Sequence, residues 1–198
     1  MQTIYHSLLL FLNQFLHLSE DEFTILQKRT AVKHFNKKEN LIEPGETDKH
    51  LYFTGRGLIR EYFIRGKKQV TTDIITEGTI TGSISSFLTG EPSHYCLQAM
   101  EPVTVLAISR IDLEELYSSD RKWERLGRVL TAHFLLQQEQ HILDNIRFSV
   151  RERFVHFAEK HRDLLQRVPQ KYLASYLNIE PETFSRLKHL LKKNKSLL

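Results

Sequence analysis

The apolar positions change period twice along the chain. Residues 4–28 recur at helical spacing, and Ser19-Glu20-Asp21-Glu22 reads as a capping box, with Ser19 accepting from the first turn and Glu22 reaching back. From Thr30 to Ile108 short β-rich runs take over: TAVKHF, HLYF, GLIREYFI, QVTTDII, YCLQAM and VTVLAI. Turn residues separate them, among them Pro44-Gly45, Gly55-Arg56-Gly57, Arg65-Gly66-Lys67 and Glu77-Gly78. Many short strands at this spacing predict an antiparallel barrel or jelly roll, with a hairpin at Arg65-Gly66 where Gly66 takes a positive φ.

After Ile108 the helical period returns. Ser109-Arg110-Ile111-Asp112 predicts a helix start. A helix from about Asp120 to Arg147 is roughly 40 Å long, more than one small domain needs. Leu126, Val129, His133, Leu136, Gln140 and Leu143 form a stripe along it, and Leu130, Phe134, Ile142 and Ile146 a neighbouring face. Two apolar faces predict that one packs on the β-domain and the other on a second copy. Another helix follows over 148–161, with Phe154, Phe157 and Ala158 toward a core.

The segment PQKYLASYLNIEPETFSRLKHLL, from Pro169 to Leu191, predicts two short amphipathic helices joined by a tight turn. Leu173, Ala174 and Leu177 form the inner stripe of the first, and small Ala174 lets a second helix cross close by. Asn178 tolerates the left-handed conformation that ends a helix, and Ile179 fills the angle. Pro181 suits the first turn of the second helix, with Glu182 at its positive end. Phe184, Leu187 and Leu191 face inward, leaving Glu182, Thr183, Ser185, Arg186, Lys188 and His189 outside. A helical hairpin closing a core explains the apolar half of this pattern, and Glu182 with Arg186 is also a plain i, i+4 ion pair. A helix-turn-helix explains both halves: Arg186 suits guanine O6 and N7, Glu182 suits cytosine N4, and Thr183 and Ser185 suit phosphates or bases.

Charge favours the second reading. Residues 148–198 carry 11 Lys and Arg against 5 Asp and Glu, whereas residues 1–147 carry 17 against 19. The positive excess is therefore confined to the end that holds the two helices, the footprint of a nucleic-acid-binding segment. Composition excludes little else. One cysteine, Cys96, rules out an intramolecular disulfide and a cysteine-ligated iron–sulfur cluster, and its apolar strand marks an inert core thiol. No apolar run is long enough to span a bilayer, and no signal peptide is evident, so the expected location is the cytoplasm. A metal-dependent enzyme on a cupin-like barrel would need converging His and carboxylate ligands. The β-region offers His34, His50 and His94 without an H-x-H pair, so no enzymatic activity and no cofactor are expected.

On these residues the chain resembles the cyclic-AMP receptor protein and Fnr (Crp/Fnr) family of bacterial transcription regulators, in its Bacteroidetes-type variant. The resemblance rests on RVPQKYLASYLNIEPETFSRLKH, on Glu43-Pro44-Gly45-Glu46, His50-Leu51-Tyr52-Phe53 and Gly57-Leu58-Ile59-Arg60, and on element order. It implies an α+β chain in three parts. A β-roll sensor domain resembling cyclic-nucleotide-binding domains spans 1–118, a dimerisation helix 119–147, and a winged-helix-like helix-turn-helix domain 148–198. It implies a homodimer reading a pseudo-palindrome in double-stranded DNA and contacting RNA polymerase, with Lys171, Glu182, Thr183, Ser185, Arg186, Lys188 and His189 as DNA-binding residues. Pro181 replaces a frequent base-contacting Arg, so a different target is implied. Little chain remains beyond Leu191 for a wing, so Lys192, Lys193 and Lys195 are expected to supply backbone contacts. The effector pocket maps to Gly82, Ser83, Ser85, Ser86, Ser93 and His94. Family members that bind cyclic AMP carry a Gly-Glu pair and, about ten residues on, an Arg-Ser pair. Here Ser83 and Ser93 replace the Glu and the Arg. Losing the cation opposite a phosphate costs roughly 1.5–3 kcal/mol, tenfold or more in affinity. An unidentified small-molecule effector other than cyclic AMP is therefore expected. The competing reading is a sensor module that acts through protein partners.

Overall fold

A computed structural model of the chain describes the backbone of residues 2–195 and the side chains of residues 3–190. The inward placement of Leu191 and the contacts of Lys192, Lys193 and Lys195 fall outside the described side chains. Two compact units result, residues 1–69 with 73–133, and residues 70–72 with 134–198. Among the described residues no helix is long and apolar enough to cross a membrane.

The first unit opens with two helices, α1 (Gln2–Leu12) and α2 (Glu20–Lys28), within the stretch whose spacing reads as helical. The break has a local cause. The Asn13 side chain accepts the Leu18 N–H at 3.0 Å, and Ser19 then starts a new helix through the expected capping box with Glu22. Eight strands follow: β1 (Thr30–Phe35), β2 (Asn40–Ile42), β3 (His50–Arg56), β4 (Ile59–Arg65), β5 (Lys68–Ile75), β6 (Ile80–Thr81), β7 (Cys96–Ala99) and β8 (Val103–Ser109). A short helix, α3 (Ile84–Thr89), lies between β6 and β7. The strands form two four-stranded sheets, ordered β1-β8-β3-β6 and β2-β7-β4-β5, with antiparallel ladders. Gly66 has φ 63°, as its turn requires.

Strand β8 shows why VTVLAI reads as a continuous apolar run instead of an alternating one. Val103, Val105 and Ala107 point into the roll with Ile59, Ile75 and Leu97. Leu106 points outward, where it joins Phe53 of β3 in a second core built from Leu8, Leu12, Phe23 and Leu26 of the N-terminal helices. This sheet is thus covered on both faces, and both sets of positions are apolar. Helices α4 (Arg110–Ser119) and α5 (Arg121–Arg147) complete the outer layer through Leu116, Trp123 and Leu126. Ser109 caps α4 as its sequence predicts. Close approach is built in at Gly55, where a Cβ would lie 2.2 Å from the Ile4 side chain, so α1 sits directly on β3. Lys122 of α5 meets the Glu22 carboxylate at 2.5 Å, tying α2 to the start of α5.

The second unit holds α5 from Phe134 onward, α6 (Val150–Lys160), α7 (Leu164–Arg167), α8 (Gln170–Tyr176) and α9 (Pro181–Lys195). The one-turn α7 was not legible in the sequence. No strand occurs between residues 148 and 195, consistent with the short chain left for a wing.

Candidate nucleic-acid interface and ligand pocket

The α8–α9 pair is set by a turn that the sequence specifies residue by residue. Asn178 adopts φ 54°, and the Ile179 N–H donates to Ala174 O at 3.0 Å, which ends α8 with a backbone reversal. Pro181 then occupies the first position of α9, with Glu182 in its first turn. Leu173, Ala174, Phe154 and Phe184 are fully buried, and the two phenyl rings meet edge to face at 5.1 Å. Leu164, Val168, Leu177 and Leu187 close the core around them.

That core fixes what α9 presents. Glu182, Ser185, Arg186 and His189 are exposed and stand at i, i+3, i+4 and i+7, a single polar stripe. Thr183 is half-buried beside it. Lys188 leans away from the stripe, since its Nζ donates to the Leu165 carbonyl of α7 at 3.2 Å. Lys171 is exposed at the start of α8, its Nζ 4.8 Å from the Tyr172 ring centroid. Ser185, Lys188 and His189 meet Gln170 around an open hollow of about 120 Å3. Gln170 was missed in the sequence; its position directly after Pro169, at the head of α8, was the available signal.

The pocket residues divide into two groups. Ser83, Ser86 and Ser93 are buried, whereas Ser85 and His94 are exposed. Ser93 Oγ donates to Ser83 Oγ at 2.8 Å, so the two positions ten residues apart do converge, as a hydroxyl pair. Gly82 has φ 156°, and a Cβ there would lie 3.2 Å from the His50 carbonyl, so the chain passes β3 closely before α3.

The residue that organises this region is Asp48, for which the sequence offers no local signal. It is buried, and its carboxylate accepts the Ser83 N–H at 2.8 Å and the His50 N–H at 3.1 Å. Its own N–H donates to Ser86 Oγ at 2.9 Å. Desolvation raises the Asp48 carboxyl above the usual range, against the lowering effect of those N–H groups. Burial also raises the Tyr52 hydroxyl, as do the charge and hydrogen bond of Asp48. An internal carboxylate therefore takes up the backbone donor at the head of α3.

His50 lies beside it, with Nε2 3.3 Å from Lys33 Nζ. Burial first, then the Lys33 charge, holds the imidazole below its ordinary value, so the fold favours the neutral ring. The contribution is present above the unfolded value of roughly 6.5 and lost as pH falls below it. His50→Gln is expected to flatten the loss of stability of the first unit between about pH 7 and 5. Urea titrations followed by the fluorescence of buried Trp123 check this; unchanged slopes would show that the ring titrates alike folded and unfolded.

Residues 32–120 match the family model described as the cyclic nucleotide-binding domain. No curated protein sequence matches the chain. Among solved structures, FixK2 from Bradyrhizobium japonicum is similar with a TM-score of 0.73 at 20% identity, over 84% of this chain and 86% of that one. The c-di-GMP responsive global regulator CLP of Xanthomonas campestris gives 0.64 at 16% identity, over 87% and 91%. The catabolite activator protein of Thermus thermophilus gives 0.57 at 20% identity, over 91% and 87%. The fold is thus an antiparallel β-roll of the cyclic-nucleotide-binding type followed by a helical segment, as expected.

Proposed function

We propose that this chain is a non-enzymatic, homodimeric transcription regulator of the Crp/Fnr type. Residues 1–118 form its sensor domain, 119–147 its dimerisation helix and 148–198 its DNA-reading domain. The observation that carries the reading is the stripe Glu182, Ser185, Arg186 and His189, presented by a helix whose opposite side is locked into a core by Phe184 and Leu187. A helix braced this way, polar outside and in the basic end of the chain, has the geometry of a recognition helix in a major groove. Arg186 is assigned to base contact, with Glu182, Thr183, Ser185 and His189 beside it. Lys171 is assigned to phosphate, and Lys188 supports the helix from beside the stripe through its hydrogen bond to the Leu165 carbonyl.

Dimerisation is supported by α5. Its His141 ring lies 5.7 Å from Tyr176 of α8, so that side of the helix faces its own unit. The far side carries Leu135, Leu136, Ile142, Leu143 and Ile146, exposed by 69, 63, 58, 40 and 76%. Five large apolar side chains on one arc of a single helix call for a partner surface, and a second α5 supplies one. Such a dimer places two copies of α9 about one DNA turn apart, facing a pseudo-palindrome in the cytoplasm, with RNA polymerase as the further partner.

The effector is assigned to a class other than cyclic AMP. The Ser83–Ser93 hydroxyl pair supplies no cation, and the Asp48 carboxyl already takes up the Ser83 N–H that an anion would otherwise receive.

Selection from a random duplex library at two salt concentrations tests the reading. A palindromic motif is expected, unchanged by added cyclic AMP. Arg186→Ala is expected to lose about 1–3 kcal/mol of discrimination at one base pair per half-site. Salt-sensitive binding without any motif would sink the sequence-specific reading and leave only phosphate contact.

A further inference from the structure

The junction between α5 and the helices that follow is held by a side chain that plays no part in the stripe on α9. Arg153 lies in the first turns of α6, half-buried. Its Nη1 donates to the carbonyls of Phe148 at 2.9 Å and Asn145 at 3.3 Å, and its Nη2 to the carbonyl of Leu177 at 3.5 Å. Asn145 is in the last turn of α5, Phe148 follows that helix, and Leu177 closes α8. Carbonyls at a helix C-terminus have no acceptor role within the helix and carry the negative end of its dipole. One planar cation thus gathers the ends of two helices. Its Nε is buried without a hydrogen-bond partner, a desolvation cost that a solvated surface arginine would not bear.

The geometry points to Arg153 as a positioning residue that locks the α8–α9 pair to the end of α5 and thereby sets the half-site spacing the dimer accepts. The lock follows from the contacts; the spacing consequence rests on the DNA-binding reading above. Helix α9 continues from α8 through the four-residue turn at Asn178, so a swing of α8 about α5 carries α9 with it. In a dimer joined along α5 the same swing occurs twice, and the separation of the two recognition helices changes with it. A lysine cannot replace this arginine, because a single ammonium does not span two helix ends in the fixed fork that a guanidinium offers.

The test uses the full chain with Arg153→Gln and Arg153→Lys. Duplexes carry the selected palindrome with its half-sites moved apart or together one base pair at a time. Wild type is expected to favour one spacing by about tenfold or more, while Arg153→Gln binds neighbouring spacings within about threefold of each other. Affinity for an isolated half-site should stay within about twofold. If half-site affinity falls as far as palindrome affinity, Arg153 merely holds the domain folded and the proposal fails. An unchanged spacing profile, or a Lys variant equal to wild type, also overturns it. A second measurement needs no DNA. Spin labels on Gln138→Cys and Glu180→Cys, diluted with unlabelled protein, report the distance between α5 and the start of α9, since native Cys96 is buried. A broader distribution in Arg153→Gln supports the lock, and an unchanged width refutes it. Should library selection yield no motif, the DNA reading fails while this measurement still decides the lock.

Discussion

Phe184→Ala is expected to destabilise the second unit by about 3–5 kcal/mol, the usual cost of emptying a phenyl site in a core. Phe184 is fully buried, and its ring abuts Phe154 of α6 edge to face, so the substitution removes the contact joining α9 to α6. Leu173 and Ala174 of α8 are equally buried, and neither can extend to fill the space. A small helical unit has only a few kcal/mol of stability, so a loss of this size leaves it largely unfolded at room temperature. Far-UV helical signal should fall at lower denaturant than in wild type, while Trp123 fluorescence, which reports the first unit, holds longer. Specific DNA binding should disappear with the helical signal. Arg186→Ala is the control, because Arg186 is exposed and its loss should remove base discrimination without moving the unfolding midpoint. A cooperative transition shifted by less than about 1 kcal/mol would mean that α9 does not depend on this ring.

The contrast between Phe184 and Arg153 shows what a sequence discloses. Positions whose role is decided within a few residues were legible. Ser19 with Glu22, Ser109 before α4, Gly66 in its hairpin and Asn178 ahead of Pro181 all act through hydrogen bonds or dihedrals that close locally. The inner stripe of α8 and α9 was legible for the same reason, since helical period alone assigns it. Asp48 and Arg153 were not. Asp48 acts on Ser83 and Ser86, and Arg153 on Leu177, partners brought near only by the completed fold. In the sequence each looks like one more charged surface residue. The pocket shows the limit from the other side. Ser83 and Ser93 were named together by resemblance and do meet, but Ser85 and His94 are exposed: Ser85 lies one helical step, about 100°, from buried Ser86 on α3, and His94 lies beyond that helix. Strand pairing also hid β2 and β6, whose three and two residues carry too little pattern to register.

Charge placed on the outer arc of α5 is expected to split the proposed dimer into monomers. Leu136→Glu with Leu143→Glu puts two carboxylates on the stripe that the heptad spacing assigns to the seam, and in a symmetric pair each meets its own copy. Burying them unpaired costs several kcal/mol each, and in a two-stranded seam four carboxylates are involved. Both positions are exposed in the single chain, by 63 and 40%, so the fold of one copy should tolerate the change. Sedimentation or light scattering at micromolar concentration should report half the wild-type mass. Affinity for the palindrome should fall by about a hundredfold or more, because the second half-site loses its effective-concentration advantage, while isolated half-site affinity stays nearly constant. That split separates loss of dimerisation from damage to the recognition helix, which would lower both. A variant that remains dimeric would move the interface off this arc. It would then leave five exposed apolar side chains on α5 without a partner and remove the basis for two recognition helices at a fixed separation.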